Sequence, residues 1–259
     1  MNFAFADPWH VILPRDPGHV IGLMGSGGKT SLMRALAEVY LSEGVPVVLT
    51  TTTRTEPVAG YDAVEHTSLS GIPAGDFPVR MFLHGGALPD GKWAGLDPAQ
   101  VDELGGVLPG HVVLVEVDGA AKLPVKLHRP DEPVWPSRTS LAVVVMGTGA
   151  VGSKTGEVLH RFGRQPWPPL DGLQDWSVWE WDHARTLLLE QGGYLSRVPA
   201  DVPAVLALTG IKEQQDSIGL FDFVGTAMDD PRLPVVLFCD LASDAVGIRT
   251  AFREEDEGA

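Results

Sequence analysis

Cysteine is almost missing from this chain. Cys239 is the single one in 259 residues, which excludes an internal disulfide and any cysteine cluster for zinc or iron–sulfur. It predicts a reducing compartment, with the cytoplasm as the default. Basic residues are scarce as well, 19 against 34 acidic ones, for a formal net charge of −15. That balance repels phosphate backbones and anionic headgroups, so nucleic acid and membrane surfaces are poor partners. No window reaches the roughly 18 apolar residues of a spanning helix. The opening Met1–Asp7 stretch lacks the basic flank of a signal peptide. Part of the acidic excess lies in Arg253-Glu254-Glu255-Asp256-Glu257, expected to be a solvated tail.

What is present is a globular composition, 44% apolar and 20% charged, in a chain long enough to bury a full core. Short β-branched runs alternate with helical periods, the signature of a parallel sheet covered by helices. Strands are predicted at 19–24, 45–50, 79–83, 111–117, 141–146, 202–208 and 234–238. Leu32, Leu36, Val39 and Tyr40 recur at helical spacing over 31–42, with Gly44 as the stop. Further helices are predicted at 177–194, 218–228 and 245–252. The reading is one α/β domain over 1–259, P-loop NTPase-like, with a mainly parallel sheet of about seven strands and helices on both faces.

Gly25-Ser26-Gly27-Gly28-Lys29-Thr30 falls between the first strand and the first helix, the context that makes a glycine-rich string a phosphate cradle. Glycines let backbone N–H groups converge, and the helix adds its positive end through residues up to Ser31. Lys29 is expected at the β- and γ-phosphates and Thr30 at magnesium. One departure is that Leu23 stands where the usual pattern has its first glycine. An apolar strand then delivers Glu116 and Asp118 at its carboxyl end, where parallel sheets bind ligands. At period two both acids face one side, so both could serve a magnesium site. Asp118 is assigned to the metal and Glu116 to polarising the attacking water or hydroxyl. Thr50-Thr51-Thr52-Thr53-Arg54 ends the second strand, either as a plain β edge or with Arg54 neutralising developing charge.

With these residues the chain resembles the YqeC-like family, P-loop proteins that act as accessory factors of selenium-dependent molybdenum hydroxylases. The resemblance is carried by Gly25–Thr30, Thr50–Arg54, Val115–Ala121, and His160-Arg161 after Met146–Gly152. It implies nucleotide-dependent help in maturing a molybdenum cofactor or inserting it into a molybdenum hydroxylase, with that enzyme or a molybdopterin-handling protein as partner. Related P-loop proteins often read guanine with Asn-Lys-x-Asp, where this chain has Thr209-Gly210-Ile211-Lys212. ATP is therefore preferred and GTP stays open.

Lys122, Lys126 and Arg129 either meet an anionic substrate or form a solvated face. His160-Arg161 is either a phosphate sensor or a helix C-terminal pair. The tryptophans at 167, 176, 179 and 181 are expected to pack. Slow ATP hydrolysis leads the functional reading. A nucleotide-gated switch and a small-molecule kinase are the alternatives.

Overall fold

The structure is a computed structural model that describes residues 3–6, 13–14, 16–72, 76–164, 166–211, 217–241 and 247–253. Its centre is β2 (Val20–Gly25), a strand buried along its whole length. On one side β2 pairs in parallel with β6 (Val112–Glu116), then come β3 (Val47–Thr51), β5 (Arg80–His84) and β4 (Asp62–Glu65). On the other side lie β8 (Thr139–Gly147), β10 (Ala204–Thr209) and β11 (Val235–Asp240), also parallel. Eight parallel strands are thus continuous. Two antiparallel strands extend the edge, β12 (Gly247–Arg253) on β11 and β1 (Phe3–Ala6) on β12. Among the described residues, the arrangement is an α/β, P-loop NTPase-like sheet flanked by helices.

Alternation in β2 sorts the core. Ile21 and Leu23 pack with Leu32, Leu36 and Tyr40 of α1 (Lys29–Ser42), while Val20 and Met24 pack with the opposite layer. That second layer takes Val101 and Leu104 of α2 (Pro98–Val107), Leu187 and Leu188 of α4 (Trp181–Leu189), and Phe223 and Val224 of α5 (Ser217–Asp229). Each buried side chain of this size contributes about 1.5–3 kcal/mol. Gly22 leaves room for Trp135, whose ring would lie 2.4 Å from a Cβ there.

Three expectations need correction. Residues 247–253 form a strand, not a helix. The backbone of this strand pairs antiparallel with β11, from Val235 opposite Phe252 to Asp240 opposite Gly247, and so takes up the ladder of that strand. The helix predicted over 177–194 is confined to Trp181–Leu189, because Glu180 adopts extended backbone as its N-cap and Gly192 turns the chain at φ 84°. The parallel strand count rises from seven to eight through β4, whose Asp-Ala-Val-Glu sequence is too short and polar to read as a strand. Lys212 and the acidic run after Arg253 lie outside the described residues, as do Ala245 and Val246.

The proline-rich segment 123–137 is irregular as expected, but it is not a loose loop. Val125–Lys126 (β7) pairs with Leu159–His160 (β9), which follows the short α3 (Thr155–Val158). This pairing folds the segment back over the carboxyl end of β6. No helix among the described residues is long and apolar enough to cross a membrane.

Candidate nucleotide site

β2 ends at Gly25 and α1 begins at Lys29, so the intervening turn is made in three residues. Gly25, Gly27 and Gly28 have φ of 99°, 93° and 120°, a region side chains disfavour. Gly27 is required twice over, because a Cβ there would lie 2.6 Å from the backbone of Gly147 and 2.7 Å from the Pro124 carbonyl oxygen. The turn aims the start of α1 at open space. Its first internal bond runs from Leu32 N to Gly28 O, 2.9 Å. The N–H groups of Lys29, Thr30 and Ser31 precede that bond, with no side-chain cap and no acid in the first turn. Such uncapped donors, at the positive end of a helix dipole, favour an anion.

They open on a cleft of about 460 Å³ lined by Gly27–Ser31. The ends of three other strands reach it through Glu116, Gly147 and Thr209-Gly210, and Lys122 borders it. Gly25 and Ser26 do not face it. The Gly25 N–H donates to Asp118 Oδ2 at 2.9 Å, the Ser26 N–H to Val145 O at 2.9 Å, and the Ser26 hydroxyl to Leu123 O. Those two residues anchor the loop, and the converging donors begin at Gly27.

The two acids of β6 part company. Glu116 is half-buried at the cleft, and its Oε1 accepts the Thr30 hydroxyl at 2.6 Å. Burial lifts its pKa above the ordinary carboxylate value, against the lowering effect of Lys29 and the Thr30 hydroxyl. Asp118, expected beside a metal, is fully buried beneath the loop and lines neither of the clefts that Glu116 lines. Lys29 Nζ lies 3.0 Å from its Oδ1 and Lys126 Nζ 3.2 Å from its Oδ2. Burial alone would raise the Asp118 pKa, but Lys29, the His128 hydrogen bond and Lys126 outweigh it and hold the group well below the carboxylate range.

His128 closes this cage with Nε2 2.6 Å from Asp118 Oδ2. Burial pushes the imidazole down to about 4, so near neutral pH it is an uncharged donor. Its ring meets the edge of Tyr194 at 5.0 Å, and the Tyr194 hydroxyl accepts the Lys126 N–H at 3.0 Å. Lys126, expected either at an anionic substrate or on a solvated face, is fully buried and also donates to Gly119 O at 2.6 Å and Glu132 at 3.1 Å. Glu132 in turn binds Arg161 through both oxygens, at 2.6 and 3.0 Å, and draws Arg129 to 3.3 Å. Arg161 is therefore a clamp on the proline-rich segment, not a helix C-terminal pair.

Arg54 lies outside the cleft lined by Gly27–Ser31, in an adjoining one with Thr30, Glu116 and Lys122. Trp179 is buried and Trp167 and Trp181 pack against the core, whereas Trp176 is exposed. Gly147, Thr209 and Gly210, noted in the sequence only within longer motifs and given no role there, line the cleft at the carboxyl ends of their strands. Sequence reasoning missed His128, Glu132 and Tyr194, for which spacing offers no signal.

The sequence model of the family described as "YqeC protein" matches residues 21–163, more than half of the chain. The chain belongs to the YqeC family. It is also 32% identical over 149 residues to "Uncharacterized protein YqeC" of Escherichia coli (strain K12), across 56% of this chain and 58% of the relative. The chain thus spans under two thirds of the length of that relative. The YqeC match takes in the loop, both acids of β6, His128, Glu132 and Arg161. Thr209 and Gly210 lie beyond it.

Proposed function

We propose that this YqeC-family chain binds a magnesium nucleoside triphosphate, ATP before GTP, and cleaves its γ-phosphoryl slowly, with water as the simplest acceptor. The observation that carries the reading is the uncapped start of α1, opening on a cleft that also holds a lysine, a hydroxyl and one half-buried carboxylate. The Gly27–Ser31 backbone takes the phosphates, and Lys29 supplies the cation that neutralises them. Asp118 is a positioning residue in this scheme. Its buried charge keeps the Lys29 ammonium at the loop, where Nζ also donates to Gly25 O at 2.8 Å.

Thr30 and Glu116 are hard oxygen donors in direct contact, which suits a magnesium ion completed by phosphate oxygens and water. When bound, the ion neutralises phosphate charge. Glu116 would also be the carboxylate within reach of the nucleophile, where it would accept the proton that the nucleophile loses. Catalysis then rests on positioning and charge rather than on a covalent intermediate. A reducing compartment, the cytoplasm by default, fits a chain with the single cysteine Cys239, which is free and buried. Service to a molybdenum hydroxylase, by maturing or inserting its cofactor, rests on the motif resemblance alone.

Calorimetry with ATP and magnesium tests the core of this reading. Lys29→Ala is expected to abolish measurable binding while the chain stays folded by circular dichroism. Unchanged affinity in the folded variant would remove Lys29 from the phosphate site.

A further inference from the structure

A second cleft adjoins the proposed triphosphate site beyond Glu116. It encloses about 620 Å³, the size of a small-molecule site, and shares Thr30, Glu116, Ala120 and Lys122 with the phosphate cleft. Four cations line it: Arg34 from α1, Arg54 from the end of β3, Lys92 and Lys122. Lys92 is drawn to Glu56 at 3.5 Å. Arg34, Arg54 and Lys122 make no ion pair among the described residues, and each is exposed. Three unpaired cations around one cavity are unusual in a chain with a formal net charge of −15, where carboxylates are available to neutralise them. Counting Glu56 and Glu116, the lining carries a net charge of +2. Lys122 is further held at φ 62°, a conformation uncommon outside glycine, asparagine and aspartate.

We propose that this cleft is a second-substrate site for a phosphorylated small molecule, seated on Arg34, Arg54 and Lys122 with its reacting hydroxyl at the Thr30–Glu116 border. A net +2 lining matches a phosphomonoester, which carries about −1.5 to −2 near neutral pH, better than it matches a single carboxylate. Guanidinium groups suit that oxyanion through bidentate bonds. The shared wall puts the hydroxyl next to the phosphate loop, so the acceptor of the γ-phosphoryl is this molecule and water is the slow substitute. In the transfer, the acceptor oxygen bonds to the γ-phosphorus and the bond from that phosphorus to the β–γ bridging oxygen breaks. The nucleoside diphosphate leaves with the electron pair, and the acceptor proton passes to Glu116 and on to solvent.

This inference rests on the proposed nucleotide site, and the test separates the two. The protein is first saturated with magnesium and a non-hydrolysable ATP analogue, then titrated with glycerol 3-phosphate and ribose 5-phosphate, with glycerol and glycerate as controls. Both phosphomonoesters are expected to bind, and the controls to bind at least about tenfold more weakly. Arg34→Ala is expected to weaken phosphomonoester binding at least about tenfold while leaving affinity for the analogue unchanged, and Arg54→Ala to weaken it likewise. Failure of the analogue to bind overturns the nucleotide site itself. Analogue binding with no phosphomonoester binding, or with binding indifferent to both arginine substitutions, overturns the second site and leaves the first standing. With ATP in place of the analogue, nucleoside diphosphate release that neither ester accelerates restricts the cleft to binding and overturns the acceptor role.

Discussion

Glu132→Gln probes the clamp behind the loop. In the folded chain Lys126, Arg161 and Arg129 surround this carboxylate. Burial opposes ionisation, but the Arg161 hydrogen bonds and Lys126 prevail and bring its pKa from 4.5 down to about 2. At about 1.4 kcal/mol per tenfold change in proton affinity, that depression is worth about 3 kcal/mol. Breaking a buried ion pair by removing one partner costs about 3–5 kcal/mol, so two independent routes agree. The folded pKa lies below the unfolded one. The stabilisation is therefore complete above about pH 4.5 and fades as pH falls toward about 2. Urea denaturation at pH 7 should show Glu132→Gln less stable by about 3 kcal/mol. Asp118 also has a depressed pKa and shares Lys126 with Glu132, so the difference between the proteins reports Glu132 together with its coupling to Asp118. Equal stabilities at pH 7, or parallel pH profiles through the acidic limb, would refute the assignment of Glu132 as an ionised clamp.

Two further predictions concern the loop and the half-buried acid. Gly27→Ala should cost more stability than Gly44→Ala, because both have positive φ but nothing lies within 4 Å of a Cβ at Gly44, whereas Gly147 blocks one at Gly27. The expected difference is about 1–3 kcal/mol by thermal or urea denaturation, with ATP affinity lost only for Gly27→Ala, and equal costs would count against the tight loop packing. Glu116→Gln should retain nucleotide binding and lose turnover. Phosphate release at the wild-type rate would take Glu116 out of the mechanism.

The sheet core was legible because its strands are buried on both faces. Continuous runs such as Val112–Val115 and Ala142–Met146 have no alternation to misread. Edges were harder. Asp62–Glu65 is polar and short, and it is held in the sheet by β5 rather than by its own pattern. α2 carried readable signals that were passed over: Asp97 precedes Pro98, and Gln100 reaches back to the Asp97 N–H at 2.9 Å. At the site, the loop and the β6 acids were visible because local sequence fixes their geometry. The fate of Lys126 was not. A lysine in a proline-rich stretch reads as solvated, and only the β7–β9 pairing and the return of the chain over β6 put it beside Asp118.

That return also explains why two acids at the end of one strand differ. Period two puts Glu116 and Asp118 on the same side, yet only Asp118 lies under the folded-back segment, where it meets Lys126 and His128. Glu116 lies one pleat earlier, at the cleft. The result is a patch of positive charge inside a strongly acidic chain. Lys29, Lys126 and Arg161 exceed Asp118 and Glu132 by one charge, and Arg34, Arg54 and Lys122 add more beside them. Screening limits such a patch to about 8 Å at physiological salt. A compact polyanion that fits within that radius feels the local field, whereas an extended nucleic-acid backbone must also cross the acidic surface around it. That difference favours small phosphorylated molecules over phosphate polymers at the two proposed sites, and it reconciles the proposed phosphate loop with the overall negative charge.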